Sequence, residues 1–408
     1  LIPPPPPRST LEADRRQRQM CIRDSHEGVM ASVSVVKDEK DGVHLKVNNH
    51  FQMGGTSSVF SDWRQGLLPL LLHRRPERAL FLGLGTGATV AAAGNYPGLL
   101  TDGVELIPEV TKVMSYFEKS TGDLGQLENL NIVNADARRY VASTDNQYDV
   151  IVADLFHPSR DGAASLYTVE HFHAVRNLLT EEGLFCQWLP LYQLDIDMFK
   201  VIVRTFLEVF PEGQAYLGHY SLDYPIIALI GANKPLRFPE NWYDKRIRRA
   251  RMNKVASAFG YDSVYSLLGT LLAGSKELAE FVNGSPLNTD NHPVILFQGP
   301  RFVYGDPEPA HERLLTLIEI FPSPDPEGIL AEIITEEDML ARDRLPDYWR
   351  ARNSFIKVGM NSEKTGDVVK LYETVSEPLL KVVKKSVDFS AAYYPLLSIA
   401  YDTVSYTH

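Results

Sequence analysis

Three acidic residues, each at the end of a short run that predicts a strand, are the groups in this sequence best placed to do chemistry. They are Glu105, Asp136 and Asp154. In an open α/β sheet, ligands bind outside the carboxyl ends of the strands, so these side chains are expected to line one crevice. Three carboxylates would repel a pyrophosphate but attract a positively charged sulfonium nucleoside.

A glycine-rich turn precedes the first of these acids. An apolar run leads into Gly83, Gly85 and Gly87, and a helix is predicted to begin near Ala88. Glycines let the backbone approach a ligand closely, and an acid at the next strand tip can accept hydrogen bonds from two ribose hydroxyls. The turn therefore predicts an adenosine-containing ligand. Its loose match to G-x-G-x-x-G/A leaves NAD or FAD as an alternative.

Five motifs follow one another along the chain: L-F-L-G-L-G-T-G, V-E-L-I-P-E-V, N-A-D-A-R-R-Y, Y-D-V-I-V-A-D and C-Q-W-L-P-L-Y-Q-L. The segment from about Glu27 to Leu236 that contains them resembles the spermidine synthase (polyamine aminopropyltransferase) family. Within that family it is most similar to bacterial homologues fused to membrane segments. The expected fold is α/β, with a doubly wound, Rossmann-like sheet of the class I methyltransferase type.

The resemblance also implies a donor site and a catalytic group. The donor would be decarboxylated S-adenosylmethionine or S-adenosylmethionine, and the acceptor a small amine or polyamine. Glu105 would bind the ribose hydroxyls, Asp136 the adenine amino group, and Asp154 would be the catalytic carboxylate. The full set of expected donor-binding residues is Gln52, Gly83, Gly85, Gly87, Glu105, Asp136 and Ala137.

Aminopropyl transfer explains why a carboxylate is needed. An amine with a pKa of roughly 10 arrives protonated, so Asp154 would hold the ammonium, take a proton and aim the lone pair. The sulfonium leaves as a neutral thioether, so we expect no metal.

The chain departs from the family pattern on the acceptor side. Where the family has D-x-x-D-P, this chain has D-L-F-H-P, so His157 replaces the second acid and is a second catalytic candidate. The family's acidic pair and tyrosine appear as Ser57, Ser58 and Ser61. We therefore expect donor binding to be retained, whereas putrescine is not supported as the acceptor.

Two further residues are candidates for the wall of the acceptor pocket. Gln187 ends another predicted strand, and Tyr192 follows it closely. Trp188, between them, is expected to belong to the core.

Composition restricts the class of protein. The chain has 408 residues and a net charge of -11, which disfavours nucleic acid as a partner. Its two cysteines, Cys21 and Cys186, provide neither a disulfide framework nor a zinc pattern.

The predicted organisation has six segments. A hairpin is expected around Asp41-Gly42, before the main domain. In order, the segments are a non-native tail (1–25), a β-hairpin unit with a lead-in helix (26–75), the nucleoside-binding α/β domain (76–234), a helical extension with a closing strand (235–300), a C-terminal helical region (301–402) and a second non-native tail (403–408).

Both tails resemble translated adaptor sequence, so the native protein is expected to be longer than this chain. We expect a cytoplasmic homodimer, attached to the inner membrane through segments outside this sequence. No run within it reaches the roughly 18 apolar residues of a membrane span.

Three functions remain open at this point. The first is transfer of an aminopropyl or related alkyl group to an amine. The second is S-adenosylmethionine-dependent methyl transfer on the same fold. The third is a non-catalytic nucleoside-binding or scaffold domain.

Overall fold

The computed structural model describes residues 21–49, 51–160, 162–239, 241–247, 250–305, 308–321, 328–334, 339–361 and 368–393. Within these ranges the chain forms a small N-terminal sheet, a larger mixed sheet and the helices that pack around them.

A four-stranded antiparallel sheet precedes the glycine-rich turn, and its strands follow chain order. The predicted hairpin is confirmed, because the second and third strands pair antiparallel and Asp41 adopts the left-handed φ of 64° that suits a tight turn. The strands are β1 (Cys21–Glu27), β2 (Ser32–Lys37), β3 (Val43–Val47) and β4 (Phe51–Gly55).

Strand β1 begins inside the segment that was expected to lie outside the fold. It pairs with β2 from Cys21 opposite Lys37 to Glu27 opposite Ser32. The described sheet thus includes residues 21–25, which the predicted organisation had placed in the first tail. The physical reason is that the edge of β2 presents unpaired backbone groups, which a neighbouring extended segment can satisfy. That residues 1–25 are non-native stays a prediction, and residues 1–20 and 403–408 lie outside the described residues.

The larger sheet has eight strands in the order β12-β10-β11-β9-β8-β5-β6-β7. Strands β7, β6, β5, β8 and β9 are parallel neighbours, and β11, β10 and β12 continue the sheet antiparallel. This confirms the doubly wound α/β sheet of class I methyltransferase type. The strands are β5 (Arg78–Leu82), β6 (Leu100–Glu105), β7 (Leu130–Asn134), β8 (Tyr148–Ala153), β9 (Leu179–Pro190), β10 (Gln214–Leu217), β11 (Ile226–Ala232) and β12 (Leu271–Ala273).

Helices cover the sheet and make up most of the chain after β12. Numbered in chain order, they are α1 (Val59–Leu72), α2 (Ala88–Ala91), α3 (Pro108–Val113), α4 (Glu118–Thr121), α5 (Ala137–Ser143), α6 (Val169–Asn177), α7 (Ile196–Val209), α8 (Trp242–Ile247), α9 (Ala250–Ala258), α10 (Val264–Leu268), α11 (Ser275–Phe281), α12 (Val294–Val303), α13 (Ala310–Ile320), α14 (Gly328–Ile333), α15 (Met339–Asn361) and α16 (Val368–Lys385).

The central strands β5 and β8 are apolar beyond their first one or two residues because both faces of the sheet are covered. Along β5, Leu80 and Leu82 belong to the cluster on one face, whereas Phe81 packs in the cluster on the other. Successive strand side chains point to opposite faces, so a sheet buried on both sides requires a continuous apolar run. In β5 and β8 the charged side chains, Arg78 and Asp149, therefore lie near the amino ends, and Asp154 follows the carboxyl end of β8.

Among the described residues, we find no helix whose length and apolar content would let it cross a bilayer. The membrane attachment expected from the sequence stays a prediction.

Candidate active site

The three acids predicted from the sequence lie at the carboxyl ends of strands in one sheet. Glu105 is the last residue of β6, Asp154 directly follows β8, and Asp136 comes two residues after β7. The order β8-β5-β6-β7 makes these strand ends neighbours, at about 4.8 Å per strand spacing. The acids therefore span roughly 15 Å along one edge of the sheet.

The glycine-rich turn brings the backbone close to Asp154. Gly83 has a φ of +84°, a conformation that favours glycine. A Cβ placed on Gly83 would lie 3.3 Å from Cβ of Asp154 and 3.3 Å from Cε1 of Phe156. Glycine is thus required here both by the backbone conformation and by the space available.

Glu105 binds the backbone of the same turn. Its side chain is buried, and Oε2 accepts hydrogen bonds from the N–H groups of Leu84 at 3.1 Å and Gly85 at 3.3 Å. Oε1 accepts from the N–H of Ile107 at 3.0 Å. A carboxylate has about four acceptor positions, so one remains for a ligand hydroxyl. The role of Glu105 in ribose binding stays a prediction.

Asp136 is exposed and has a structural role of its own. Its Oδ1 accepts a hydrogen bond from the N–H of Arg139 at 2.8 Å, which caps the N-terminus of α5. Ala137 is the first residue of that helix and is half-buried. Both predicted contacts to the donor stay predictions.

Asp154 is half-buried, and its Oδ1 accepts a hydrogen bond from the N–H of Leu155 at 2.8 Å. Burial raises the pKa of Asp154 to about 6, and the negative charge of Glu105 contributes to the rise. A carboxyl with this pKa is a stronger base than an ordinary aspartate and still ionises near neutral pH.

Asp62, in the first turn of α1, was missed by the sequence analysis. Ser58 Oγ donates to its Oδ2 at 2.7 Å. The pKa of Asp62 is raised to about 7, mainly by burial and also by the charge of Asp154. The sequence contains one signal for Asp62: it directly follows Ser61, which occupies the position of an acceptor-side tyrosine in the family. An acid in the first turn of a helix is usually explained by the helix dipole alone.

An aromatic wall, formed by His157, Tyr192 and Tyr224, stands beside the two aspartates. The rings of His157 and Tyr192 are 6.0 Å apart, and those of Tyr192 and Tyr224 are 5.5 Å apart, both edge to face. Burial raises the pKa of Tyr192, and the charges of Asp154 and Asp62 add to this effect. The Tyr192 hydroxyl therefore lies within electrostatic range of both carboxylates.

His157 is neutral in this environment. Burial lowers its pKa to about 4, so the imidazole is unprotonated at neutral pH and is only a weak base. Its role as an acid or base stays a prediction, one that its surroundings do not favour.

Gln187 is fully buried near the end of β9, where it pairs in register with Ala153, the residue before Asp154. Its Nε2 donates to the backbone carbonyl of Trp188 at 3.0 Å, and its Oε1 has no hydrogen-bond partner among the described residues. Trp188 is fully buried in the core, as expected.

Gln52 lies on β4 and is exposed. The carbonyl oxygen of the next residue, Met53, is 3.2 Å from the position that a Cβ on Gly85 would occupy. Strand β4 thus passes over the glycine-rich turn, and this places Gln52 at the rim of the site without a contact that tests its predicted role.

A cavity of about 710 Å³ opens away from these acids, near the amino end of β8, and includes Asp149, Thr180 and Lys234 in its lining. The Asp149 carboxylate is already occupied, because it accepts hydrogen bonds from the backbone of Arg78 and from Thr180 Oγ1. The acids with raised pKa values lie instead at the carboxyl edge of the sheet, which is the candidate site. Within the described ranges, no group of three or more histidine, cysteine and acidic side chains is arranged to hold a metal ion.

Comparison with known proteins identifies a domain within this chain. A spermine/spermidine synthase domain matches residues 66–220. The polyamine aminopropyltransferase of Thermotoga maritima is 29% identical over 164 residues, which are 39% of this chain and 53% of that protein. The polyamine aminopropyltransferase of Methanocaldococcus jannaschii is 32% identical over 168 residues, 40% of this chain and 57% of that protein. The chain thus spans about half the length of the curated relatives it matches.

A solved spermidine synthase in complex with the transition state analogue AdoDATO has a TM-score of 0.48 to this chain, with 22% identity, and covers 52% of this chain and 74% of its own. The matched domain includes the glycine-rich turn, Glu105, Asp136 and Asp154, whereas Gln52 and Asp62 precede it. Residues 66–220 thus match a spermine/spermidine synthase domain, which confirms the resemblance stated from the sequence over this part of the chain.

Proposed function

We propose that this chain transfers an aminopropyl group from decarboxylated S-adenosylmethionine to an amine. The single observation that carries the proposal is the position of Asp154, next to the glycine-rich turn, with a pKa raised to about 6. The family of the domain and the aminopropyltransferase names of its relatives support the same reaction.

The charges around the site favour the decarboxylated donor over the intact one. The charge of Glu105 contributes to the raised pKa of Asp154, and the charge of Asp154 contributes to the raised pKa of Asp62. The site therefore concentrates negative charge. Intact S-adenosylmethionine carries a carboxylate that these groups would repel, whereas the decarboxylated form carries only positive charge. The same argument disfavours methyl transfer, which uses the intact donor.

In the proposed reaction, the acceptor enters as an ammonium and binds to the ionised Asp154. A proton passes from the ammonium to the carboxylate, which frees the nitrogen lone pair. The nitrogen attacks the aminopropyl carbon bonded to sulfur, a nitrogen–carbon bond forms, and the electron pair of the carbon–sulfur bond moves to sulfur. The sulfonium becomes a neutral thioether, and Asp154 passes its proton to solvent. Positioning and proton removal are therefore the two contributions that Asp154 makes.

The test is mass spectrometry of a reaction containing the decarboxylated donor and a panel of amines. Asp154→Asn is expected to lower turnover by about 100-fold or more, because the amide cannot accept the proton. Donor affinity, measured by calorimetry, should change little. Asp145→Asn is the matched control, since Asp145 is exposed. The backbone N–H of its neighbour Asn146 donates to Thr144 Oγ1 and not to Asp145. Equal turnover by wild type and Asp154→Asn would remove Asp154 from the mechanism.

Calorimetry with both donor forms tests the choice of reaction. We expect the decarboxylated form to bind more tightly by at least about 10-fold, from the loss of one repelled charge. Tighter binding of the intact form would favour methyl transfer. Donor binding without product from any amine would favour a scaffold domain.

A further inference from the structure

We propose that Asn288 is a positioning residue for the reaction, and that it acts by fixing the loop between Asp154 and Val169. The inference depends on the proposed function, since it concerns the geometry of the same reaction. Asn288 lies outside the matched domain, which ends at residue 220. A segment beyond that domain, residues 288–299, thus helps to set the position of the reacting carboxylate.

Asn288 is completely buried and joins the loop to helix α12. Its Nδ2 donates to the backbone carbonyls of Tyr167 at 2.9 Å and Ala164 at 3.4 Å. Its Oδ1 accepts a hydrogen bond from the N–H of Ile295 at 3.2 Å, and its backbone carbonyl accepts from the N–H of Val169 at 3.0 Å. A buried amide whose donors and acceptor are all paired favours a single arrangement of the elements that it connects.

Tyr167 connects Asn288 to the reacting end of the site. Tyr167 is fully buried, and its hydroxyl donates to the backbone carbonyl of Phe156. The N–H of Phe156 in turn donates to the backbone carbonyl of Asp154 at 2.8 Å. Burial raises the pKa of the Tyr167 hydroxyl, and the charge of Asp154 contributes to the rise. Asn288, Tyr167 and Phe156 thus form a hydrogen-bonded path to the backbone of Asp154.

Helix α12 also packs against the first part of the loop. A Cβ placed on Gly299 would lie 2.9 Å from both the carbonyl carbon and the carbonyl oxygen of Pro158. That leaves no room for a side chain, so the backbones of the helix and the loop are in contact. The 288–299 segment therefore holds the loop near both of its ends, at Pro158 and at Tyr167.

A further connection lies on the outer side of the loop. Arg138 Nη1 donates to the backbone carbonyl of Ser165 at 2.9 Å, and Nη2 of the same guanidinium forms an ion pair with Asp290. Arg138 belongs to α5, the helix that Asp136 caps. The 288–299 segment is therefore linked both to the loop and to the helix that begins beside Asp136.

These contacts matter because the loop has little packing surface of its own. Residues 162–165 are glycine, two alanines and serine, so their conformation depends on the elements around them. A misplacement of about 1 Å at a reacting group can lower the rate by about 100-fold. The loop directly follows Asp154, so its conformation affects where that carboxylate points.

The test compares Asn288→Ala with Asn233→Ala, which removes the same kind of amide at the opposite edge of the sheet. Asn233 Nδ2 donates to the carbonyls of Leu179 at 3.4 Å and Thr180 at 3.0 Å, and its Oδ1 accepts from Arg176 Nε at 3.2 Å. Both variants should be less stable than wild type. Asn288→Ala alone should lower kcat, by about 10- to 100-fold, with KM for donor and amine within about 3-fold.

The pH profile separates positioning from a general loss of folded enzyme. A loosened loop admits water to Asp154, so the pKa that burial raises to about 6 should fall toward that of an ordinary aspartate. The acid limb of kcat/KM should therefore move to lower pH in Asn288→Ala and stay in place in Asn233→Ala. A smaller fraction of folded enzyme would lower kcat without moving this limb.

If Asn288→Ala does not fold, Tyr167→Phe tests the next link in the path. It removes only the hydroxyl that donates to Phe156 and should lower kcat by about 10-fold. Tyr243→Phe is its matched control, because Tyr243 is also buried and its hydroxyl also donates to a backbone carbonyl, that of Tyr261. The control should leave kcat unchanged.

Three results would overturn the assignment. They are a kcat of Asn288→Ala within about 3-fold of wild type, equal losses of kcat in Asn288→Ala and Asn233→Ala, and a loss of kcat with an unmoved acid limb. If wild type makes no product from any amine, the proposed function fails by itself. Hydrogen exchange of peptides covering residues 162–169 then decides whether Asn288 fixes the loop. Exchange should be faster in Asn288→Ala than in wild type and Asn233→Ala, and equal exchange in all three would reject the inference.

Discussion

The backbone of Gly83 and the side chain of Asp154 are so close that a single added methyl group would press on the carboxylate-bearing Cβ at 3.3 Å. Gly98 has nearly the same backbone conformation, with φ of +80° against +84°, but nothing lies within 4 Å of the position of its missing Cβ. Alanine at Gly98 would therefore cause backbone strain alone, whereas alanine at Gly83 would cause the same strain and also press on Asp154.

We expect Gly83→Ala and Gly98→Ala each to lower the free energy of unfolding by about 1 kcal/mol, because both place a side chain in the left-handed region. Only Gly83→Ala should also reduce turnover, by about 10-fold or more, since it displaces Asp154. Chemical denaturation and the aminopropyl transfer assay measure the two quantities. Equal turnover losses in both variants would show that the contact with Asp154 has no effect on activity.

The pH dependence of kcat/KM should report the raised pKa of Asp154. Below a pH of about 6 the carboxyl is protonated and cannot receive a proton from the acceptor, so the rate should fall by about 10-fold per pH unit. Above that pH the rate should level off. A fall that begins only near pH 4, as for an ordinary aspartate, would contradict the burial described for Asp154.

His157→Gln should leave that profile unchanged. The imidazole is neutral throughout this range because its pKa is lowered to about 4. Turnover should stay within several-fold of wild type, since the substitution changes the wall of the site but no proton transfer. A shift of the acid limb in this variant would assign the titration to His157 instead of Asp154.

Asp62→Asn should stabilise the protein at high pH. The pKa of Asp62 is raised to about 7 in the folded state, so folding is favoured by the protonated form. Wild type therefore loses stability as the pH rises from about 4 to 7, where the folded and unfolded states bind different numbers of protons. The asparagine variant lacks this loss and should be more stable at pH 8 by on the order of 2 kcal/mol.

Equilibrium unfolding at pH 4, 6 and 8 measures the difference in unfolding free energy between Asp62→Asn and wild type. Asp197→Asn is the control, because Asp197 also lies in the first turn of a helix, α7, but is exposed. The gain should be near zero at pH 4 and should grow with pH for Asp62→Asn only. A gain that is the same at all three pH values would indicate that burial does not raise the pKa of Asp62.

Glu105→Gln should weaken both the turn and donor binding. The carboxylate accepts hydrogen bonds from three backbone N–H groups through its two oxygens. A glutamine side chain has one oxygen, so its NH2 group would face at least one of these N–H donors. We expect a loss of about 1–3 kcal/mol in unfolding free energy and a weaker donor affinity by calorimetry. Glu118→Gln, at an exposed position, should change neither. Unaltered donor affinity would exclude Glu105 from the donor site.

The strand-tip acids could be predicted because their positions depend on local patterns. Apolar runs identified β5 and β8, and an acid that follows such a run lies at the sheet edge in any open parallel sheet. The turn at Asp41-Gly42 was predictable for the same reason, since its backbone conformation depends on two residues.

Asp62 and the state of His157 could not be predicted, because both depend on distant contacts. The pKa of Asp62 is raised by burial and by the charge of Asp154, which lies 92 positions later in the chain. His157 is neutral because it is buried beside Tyr192. Asn288 is a further case: it is fully buried, and its Nδ2 donates to the carbonyl of Tyr167 at 2.9 Å, beyond the loop that follows Asp154. No local pattern marks such residues.

The order of strands in the larger sheet has a consequence for synthesis on the ribosome. Strand β11 lies between β9 and β10, although it follows both of them in the chain. A nascent polypeptide that has emerged only as far as Leu217 therefore carries β10 without the neighbour that joins it to the sheet. Strand β10 can join the sheet only after Ile226–Ala232 has left the exit tunnel. Until then β10 and the open edge of β9 have no partner strand and must be kept from associating with other chains.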